Sequence, residues 1–458
     1  MTAGDEAIRT IPSPVLTGRQ ARAYPVDSQQ WWRVERESTR NRQGSHMCSS
    51  IVESRIGLRR WLVDGIGPVA AIAIAQLFGT ALWFSANSTA QDLMRLWQAS
   101  AADIGWLTSA VQLGFIFGTL AISISGAADR FRASRIFVCG AVLGAVFNLG
   151  FAWLSTGLVT GAAFRFSVGI CLAGIYPMGM KLIVGWAPDR TGSALAQLVA
   201  MLTLGTALPH AMRVVGTGLP WQWIISASSA LALIGAGVIG VLGDGPQTRT
   251  TAVLARKRGP AALLAAFRIR AFRAATLGYF GHMWELYTFW TAVPLLITHT
   301  TLLPYFPGAG VSGMAFGVIT AGAIGSLVGG MLSRTLGSAK VALGALALSG
   351  FCAVTFALAW RALPPMATAA VLVVWGASVV ADSPQFSALA ARACPPALVG
   401  GALAIQNSIG FAITVVSIAA TSALLERIGL DAIWLLVPGP VLGLAGFLWT
   451  LGRSSAET

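Results

Sequence analysis

The sequence predicts an all-α membrane protein with twelve transmembrane helices in two six-helix bundles and both termini in the cytoplasm. Three observations carry this: an apolar composition, twelve apolar runs of spanning length, and a one-sided distribution of basic residues. The 458 residues are 55% apolar and 10% charged, with a mean hydropathy of +0.71. An ordinary soluble domain carries about 25% charged residues, so a lipid bilayer is the partner this composition suits.

In chain order, residues 1–60 form a polar, Arg-rich stretch with no run long enough to span or to act as a signal peptide. It reads as a disordered cytoplasmic tail, with Met47 as a second candidate start. Apolar runs follow near 66–87, 104–125, 136–155, 158–183, 192–212 and 222–242, giving an N-terminal bundle over 61–242. A cytoplasmic linker at 243–270 includes "RKRGPAALLAAFRIRAF", which alternates cationic and apolar residues. That pattern suits either a helix lying on an anionic leaflet or a solvated linker. The C-terminal bundle, 271–452, has runs near 271–298, 312–333, 341–360, 364–389, 398–425 and 431–451. A short tail, 453–458, closes the chain. Each run reaches the roughly 20 residues needed to cross a core of about 30 Å. The tightest turn predicted is Ser155–Gly157, between spans 3 and 4.

Orientation follows from the basic residues. With the tail inside, 26 of the 31 Arg and Lys fall on the cytoplasmic side and four fall outside: Arg95, Arg213, Arg361 and Arg427. Basic residues concentrate on cytoplasmic loops, and an even number of spans returns the C-terminus to the same side. The net charge of +14 is therefore topological. No basic stripe is interleaved with aromatics, which argues against a nucleic-acid partner. Five scattered cysteines give neither a disulfide framework nor a zinc site.

The two halves echo each other. "SGAADRFRASR" (125–135) follows span 2 and "GGMLSRTLGSAK" (329–340) follows span 8, with Asp129-Arg130 and Ser333-Arg334 at matching places. Asp129, Arg130 and Arg135 resemble the cytoplasmic signature of the major facilitator superfamily, with Ser125 in the first glycine slot and Gly126 left to make the turn. "RFSVGICLA" (165–173) is similar to the Arg-x-x-x-Gly-x-x-x-Ala signature of its fourth helix. The resemblance covers 66–452 and implies that family's fold. It implies a cytoplasmic gate at Asp129, Arg130, Arg135, Ser333 and Arg334, and a link between Arg165 and proton transfer. "AGIYPMGMK", "TLGTALPH", "YFGHMWELYTFW" and "VVADSPQFSAL" resemble a bacterial branch grouped loosely with nitrate/nitrite porters. Those porters have buried arginines on helices 2 and 8. Span 2 here has no basic residue and span 8 only Arg334 at its end, so nitrate is not the predicted substrate.

Of 17 acidic residues, all but Glu285 and Asp382 fall in tails, loops or helix ends. A charged side chain at a helix centre costs about 2.5–3.5 kcal/mol on insertion scales, so such groups usually face a cavity and carry function. Loss of water favours the protonated form of a carboxyl group in general. Glu285, with His282 three residues earlier on the same helix face, is thus the predicted proton-coupling pair. A structural His–Glu hydrogen bond is the alternative. No H-E-x-x-H or paired E-x-x-H accompanies them, which argues against a metal. Arg165 is the third member, either binding an anion, neutralising Glu285 across the interface, or snorkelling outward. Asp382, Gln385, Gln406 and Asn407 read as an inner wall or as interhelical hydrogen bonding. Gln76, Trp83, Tyr176, Trp284 and Tyr287 are candidate pocket walls, and His210 is expected near the outer interface.

These residues predict a secondary active transporter, a monomeric carrier in the bacterial inner membrane, moving a small solute, anionic or neutral, inward with protons. Proton-driven efflux is the alternative within transport, and an intramembrane enzyme or a sensor lies further off. No catalytic residue, metal or cofactor is predicted beyond a proton gradient, since no nucleotide-binding G-x-x-x-x-G-K-[ST] is present.

Overall fold

The computed structural model describes residues 56–188, 191–246, 266–395 and 398–452. The chain divides into a unit Met1–Leu58 and a unit Arg59–Thr458. Only 56–58 of the first are described, so the predicted tail at 1–55, the linker core at 247–265 and the tail at 453–458 lie outside the described residues.

After a π-helical turn at Trp61–Ile66, the second unit runs α1 (Pro68–Thr80), α2 (Ala90–Trp97), α3 (Ala101–Ile124), α4 (Ala133–Leu154), α5 (Leu158–Trp186), α6 (Thr191–Val215) and α7 (Trp221–Leu242). Then come α8 (Arg270–His299), α9 (Gly310–Leu336), α10 (Ser338–Ala359), α11 (Pro365–Ala381), α12 (Ser383–Ala393), α13 (Val399–Ile428) and α14 (Pro438–Gly452). Every predicted apolar run thus contains a helix. By length and composition, nine helical stretches among the described residues are sufficient to cross a membrane, or ten if the pair broken at Gly67 is one span. The helix α8, with Arg270, Arg273 and Glu285 in it, is not among the nine. The stretch counted at Gly401–Thr450 merges α13 and α14.

Local chemistry sets the helix ends. Ser100 and Asp103 form a reciprocal capping box at the start of α3, satisfying two N–H groups that a helix start leaves open. Gly126, at φ +65°, turns the chain into the single helical turn Ala127–Arg130, the left-handed step that glycine takes without strain. The predicted turn at Ser155–Gly157 joins α4 to α5. Asp244 accepts a hydrogen bond from the Ser134 N–H (2.8 Å) and so caps α4 from beyond the end of α7.

The helices α1–α7 pack mainly on one another, as do α8–α14. Two seams join the groups: α3 runs along α13, and α6 along α9. Large apolar side chains such as Phe117, Val159, Phe351 and Leu442 are exposed on the flanks, where a bilayer rather than water is the compatible solvent. Inside, small residues bring backbones together as in membrane bundles. A Cβ at Gly114 would run into the Phe166 carbonyl oxygen, and one at Gly169 into that of Val111, so α3 and α5 meet through reciprocal glycines. Backbone cannot swing away as a side chain can, so Gly114→Ala is expected to cost about 3 kcal/mol. The check is the melting temperature in detergent, with Gly317→Ala, which faces open space, as the unchanged control.

Two runs differ from the sequence reading. The first, predicted as one helix over 66–87, ends at Thr80 and continues as irregular turns through 81–86. All six of those residues are buried. The tenth breaks at Asp382, where Pro384 opens α12; a proline removes an N–H and crowds the preceding turn.

Candidate functional site

The irregular segment after α1 places Trp83 in the centre of the molecule. Its ring stacks on Tyr287 and on Phe411, both at 5.6 Å between centroids, and lies 5.1 Å from Phe115. Phe115 and Phe411 approach to 4.4 Å. Rings from α3, α8, α13 and the segment after α1 therefore form one layer across the junction of the two groups. The Trp83 indole N–H donates to Gln112 Oε1 (3.3 Å), which fixes its orientation.

Beside this layer lies a central cavity of about 360 Å³. Its wall combines Tyr176 of α5, Leu202 and Thr203 of α6, Tyr279, Tyr287 and Trp290 of α8, Ser383 of α12 and Phe411 of α13. No charged side chain lines it. The Trp290 Nε1 is buried without a hydrogen-bond partner, an exception that calls for a reason in a packed interior. Of the predicted pocket residues, the structure brings together Trp83, Tyr176 and Tyr287.

Arg165 takes none of the predicted positions. It is fully buried, and it donates to Leu82 O (3.0 Å), Ser85 Oγ (3.2 Å), Asn148 Oδ1 (3.0 Å) and the Trp83 carbonyl. The Phe151 ring covers it at 5.7 Å. All these partners lie among α1–α7, so Arg165 neither snorkels nor reaches Glu285. In the irregular segment beyond α1 the carbonyls of Leu82 and Trp83 have no helical donors, and the guanidinium supplies them, with its positive charge near the negative end of the helix. Asn148 extends the network by donating to Ile225 O (3.1 Å) and Ser229 Oγ (3.0 Å) of α7.

Glu285 turns away from the central cavity, into the α8–α14 group. Its carboxylate oxygens accept from Ser349 Oγ of α10 (2.8 Å) and Trp375 Nε1 of α11 (2.6 Å). Phe289 stacks on Trp375 at 4.4 Å and closes the site. His282 shares the face of Glu285 but pairs elsewhere: its Nδ1 lies 2.8 Å from Asp382 Oδ1, with both side chains wholly buried. The contact is close but misaligned as a hydrogen bond, leaving His282 Nε2 and Asp382 Oδ2 without partners. Asp382 is the residue at which α11 gives way to α12, immediately before the cavity-lining Ser383.

The remaining predicted residues scatter. Trp284 donates to Leu435 O (2.6 Å) and packs on Gly439 of α14, away from the cavity. Gln76 is buried against Gly179, with both amide atoms unpaired. Gln385 is buried, Asn407 is half-buried, and Gln406 accepts from Thr276 Oγ1 (3.4 Å). His210 is buried rather than interfacial. In the predicted gate, Arg130, Arg135 and Arg334 are exposed and Ser333 donates to Gly330 O (2.9 Å); the Asp129 side chain lies outside the described residues. Sequence reasoning missed Ser349, Trp375, Asn148, Ser85, Trp290 and Ser383. Only Trp290 and Ser383 carried a signal, by lying within the stretches that hold Glu285 and Asp382.

No curated protein sequence matches the chain. Among solved structures, it is similar to the proton:xylose symporter XylE bound to 6-bromo-6-deoxy-D-glucose, with TM-score 0.64 and 15% identity over 83% of this chain and 95% of that one. A partially occluded inward-open XylE from E. coli matches with TM-score 0.63 and 15% identity, covering 83% and 99%. The inward-open E. coli form matches with TM-score 0.64 and 13% identity, covering 84% and 95%. These likenesses concern the fold. The family model of the Major Facilitator Superfamily matches residues 70–417, most of the chain and both helix groups, and the protein is therefore a multi-pass membrane protein of that superfamily.

Proposed function

We propose that the chain is a secondary active transporter of the bacterial inner membrane that couples protons to a small, neutral, hydroxyl-bearing solute by alternating access. The observation carrying this reading is the central cavity. It lies between the two helix groups, its wall is aromatic and hydroxylated, and it has no charge on its lining. Hydroxyls and an unpaired indole N–H suit a solute with hydroxyl donors and acceptors. An anionic solute would call for a cation on the wall, and the buried Arg165 does not line the cavity but directs both terminal nitrogens to partners among α1–α7. For the same reason the likeness to nitrate/nitrite porters is not extended to an oxyanion. The XylE structures name xylose as the solute of a similar fold, which makes D-xylose a suitable first probe.

Proton coupling falls to Glu285 and to the His282–Asp382 pair. Glu285 has only neutral donors around it, so gain or loss of one proton changes the buried charge with no adjacent cation to compensate. Twelve crossings, with both termini cytoplasmic and a monomeric unit, complete the reading. The basic residues support it by their one-sided distribution.

Proteoliposomes with an acidic exterior are expected to accumulate D-xylose above the external concentration, and a protonophore is expected to abolish the gradient. D-gluconate, of similar size but anionic, is expected not to accumulate. Accumulation of gluconate in preference to xylose would overturn the neutral-solute reading, and accumulation indifferent to the protonophore would overturn proton coupling.

A further inference from the structure

A second cavity, of about 560 Å³, lies on the other side of the aromatic layer, between α2 and α3 of one group and α8 and α13 of the other. Like the central cavity, it is walled from both groups. Its roof is a direct contact between them. The Glu426 carboxylate near the end of α13 accepts the Ala102 N–H at the start of α3 (2.6 Å). One turn below, a Cβ at Gly105 would run into Ser422. Along α8, Tyr287 of the aromatic layer lines the central cavity and the next residue, Thr288, lines this one.

The wall of this cavity is mainly apolar, and among the described residues its polar groups are hydroxyls and amides with no charged side chain. Thr288, Thr291 and Thr298 occupy one side of α8, facing Asn87 and Gln91 of the other group. Thr291 and Thr298 donate to their own helix, to Tyr287 O and Pro294 O (both 2.7 Å), so their oxygens remain open as acceptors. Pro294, also on the wall, has no N–H for the Trp290 carbonyl one turn earlier. Most telling is Thr421. It lines the cavity and is 1% exposed, yet its hydroxyl has no hydrogen-bond partner. A buried hydroxyl left unpaired costs free energy that a ligand recovers on binding.

We propose that this cavity is a second solute site, stacked outside the aromatic layer, which takes the same neutral, hydroxyl-bearing class as the central cavity and holds it with Thr421 and the acceptors of α8. The assignment of solute class rests on the function proposed above. The solute then passes between two sites in series, and the stack of Trp83, Tyr287 and Phe411 is the partition between them.

The test uses purified full-length protein with its native cysteines replaced by serine and one reporter cysteine added. Leu295→Cys reports the outer cavity and Ser383→Cys the central one. D-xylose is expected to slow N-ethylmaleimide labelling at both positions. Thr421→Val, which keeps the side-chain shape, is expected to raise the half-protecting xylose concentration at position 295 about five-fold, the worth of one hydrogen bond. Protection at 383 should not move. Protection at 383 alone overturns the second site and leaves the proposed function standing. Protection at 295 alone keeps the second site and removes the central one. Protection at neither overturns both, and a Thr421→Val shift that is equal at the two reporters, or absent, overturns the assignment to Thr421.

Discussion

Glu285→Gln is expected to reduce proton-driven D-xylose accumulation to the level of liposomes without protein, while xylose–xylose exchange across the same membrane continues. The amide matches the carboxylate in shape and can be hydrogen-bonded in the same place. Its oxygen accepts from Trp375 Nε1, and its NH₂ donates to Ser349 Oγ, whose hydroxyl proton then turns to Leu346 O (3.0 Å). Folding is therefore expected to survive, with a melting temperature close to that of the native protein. What the amide lacks is a proton to release. Exchange needs only that the loaded carrier reorient, whereas accumulation needs the empty carrier to return with its proton balance changed. A Gln variant that accumulates xylose as the native protein does would remove Glu285 from the coupling. His282→Gln separates the second pair: if Asp382 and His282 share the coupling, this variant shifts the pH at which accumulation is half-maximal.

The second large effect concerns Arg165. Arg165→Met is expected to lower the melting temperature by about 5–10 °C and to abolish transport. With the guanidinium gone, the Trp83 carbonyl loses its donor and Asn148 Oδ1 loses a charge-assisted bond. A buried unpaired acceptor costs about 1–3 kcal/mol, and each kcal/mol is worth a few degrees in a protein of this size. Relief from burying a cation offsets this only in part, because the carbonyl end of α1 already provides negative potential there. Arg165→Lys keeps the charge and three donors but not the planar fork, so it should recover part of the stability. Native-like melting of Arg165→Met would refute the capping role.

The helical fold was largely legible because apolar runs and turn residues mark helices and their ends directly. The break at Asp382 has a visible signal in Pro384, although the run reads as one span. The break after Thr80 has none. "ALWFSAN" (81–87) is as apolar as a helix interior, and the group that receives the carbonyls of the irregular segment is Arg165, which lies 83 residues beyond Leu82. The site was half legible for the same reason. A buried His and Glu can be found by eye at positions 282 and 285, but the spacing does not say which neighbouring helix each one meets. Glu285 meets Ser349 and Trp375, and His282 meets Asp382. Similarly, Trp284 and Tyr287 look equivalent in sequence, yet three residues of helical rotation send one to Leu435 and the other to the cavity.

The pairing of α3 with α13 and of α6 with α9 has a mechanical consequence. In both seams, a helix early in one group runs against a helix late in the other, so exchanging the groups maps one seam onto the other. Two plates hinged along matched, opposed edges have a single easy motion, a tilt about the line between the hinges. Such a tilt pinches the gap at one face by the amount it widens the gap at the opposite face. The molecule thereby acts as a seesaw: exclusion at one membrane surface and admission at the other are a single displacement, and no separate timing device is required.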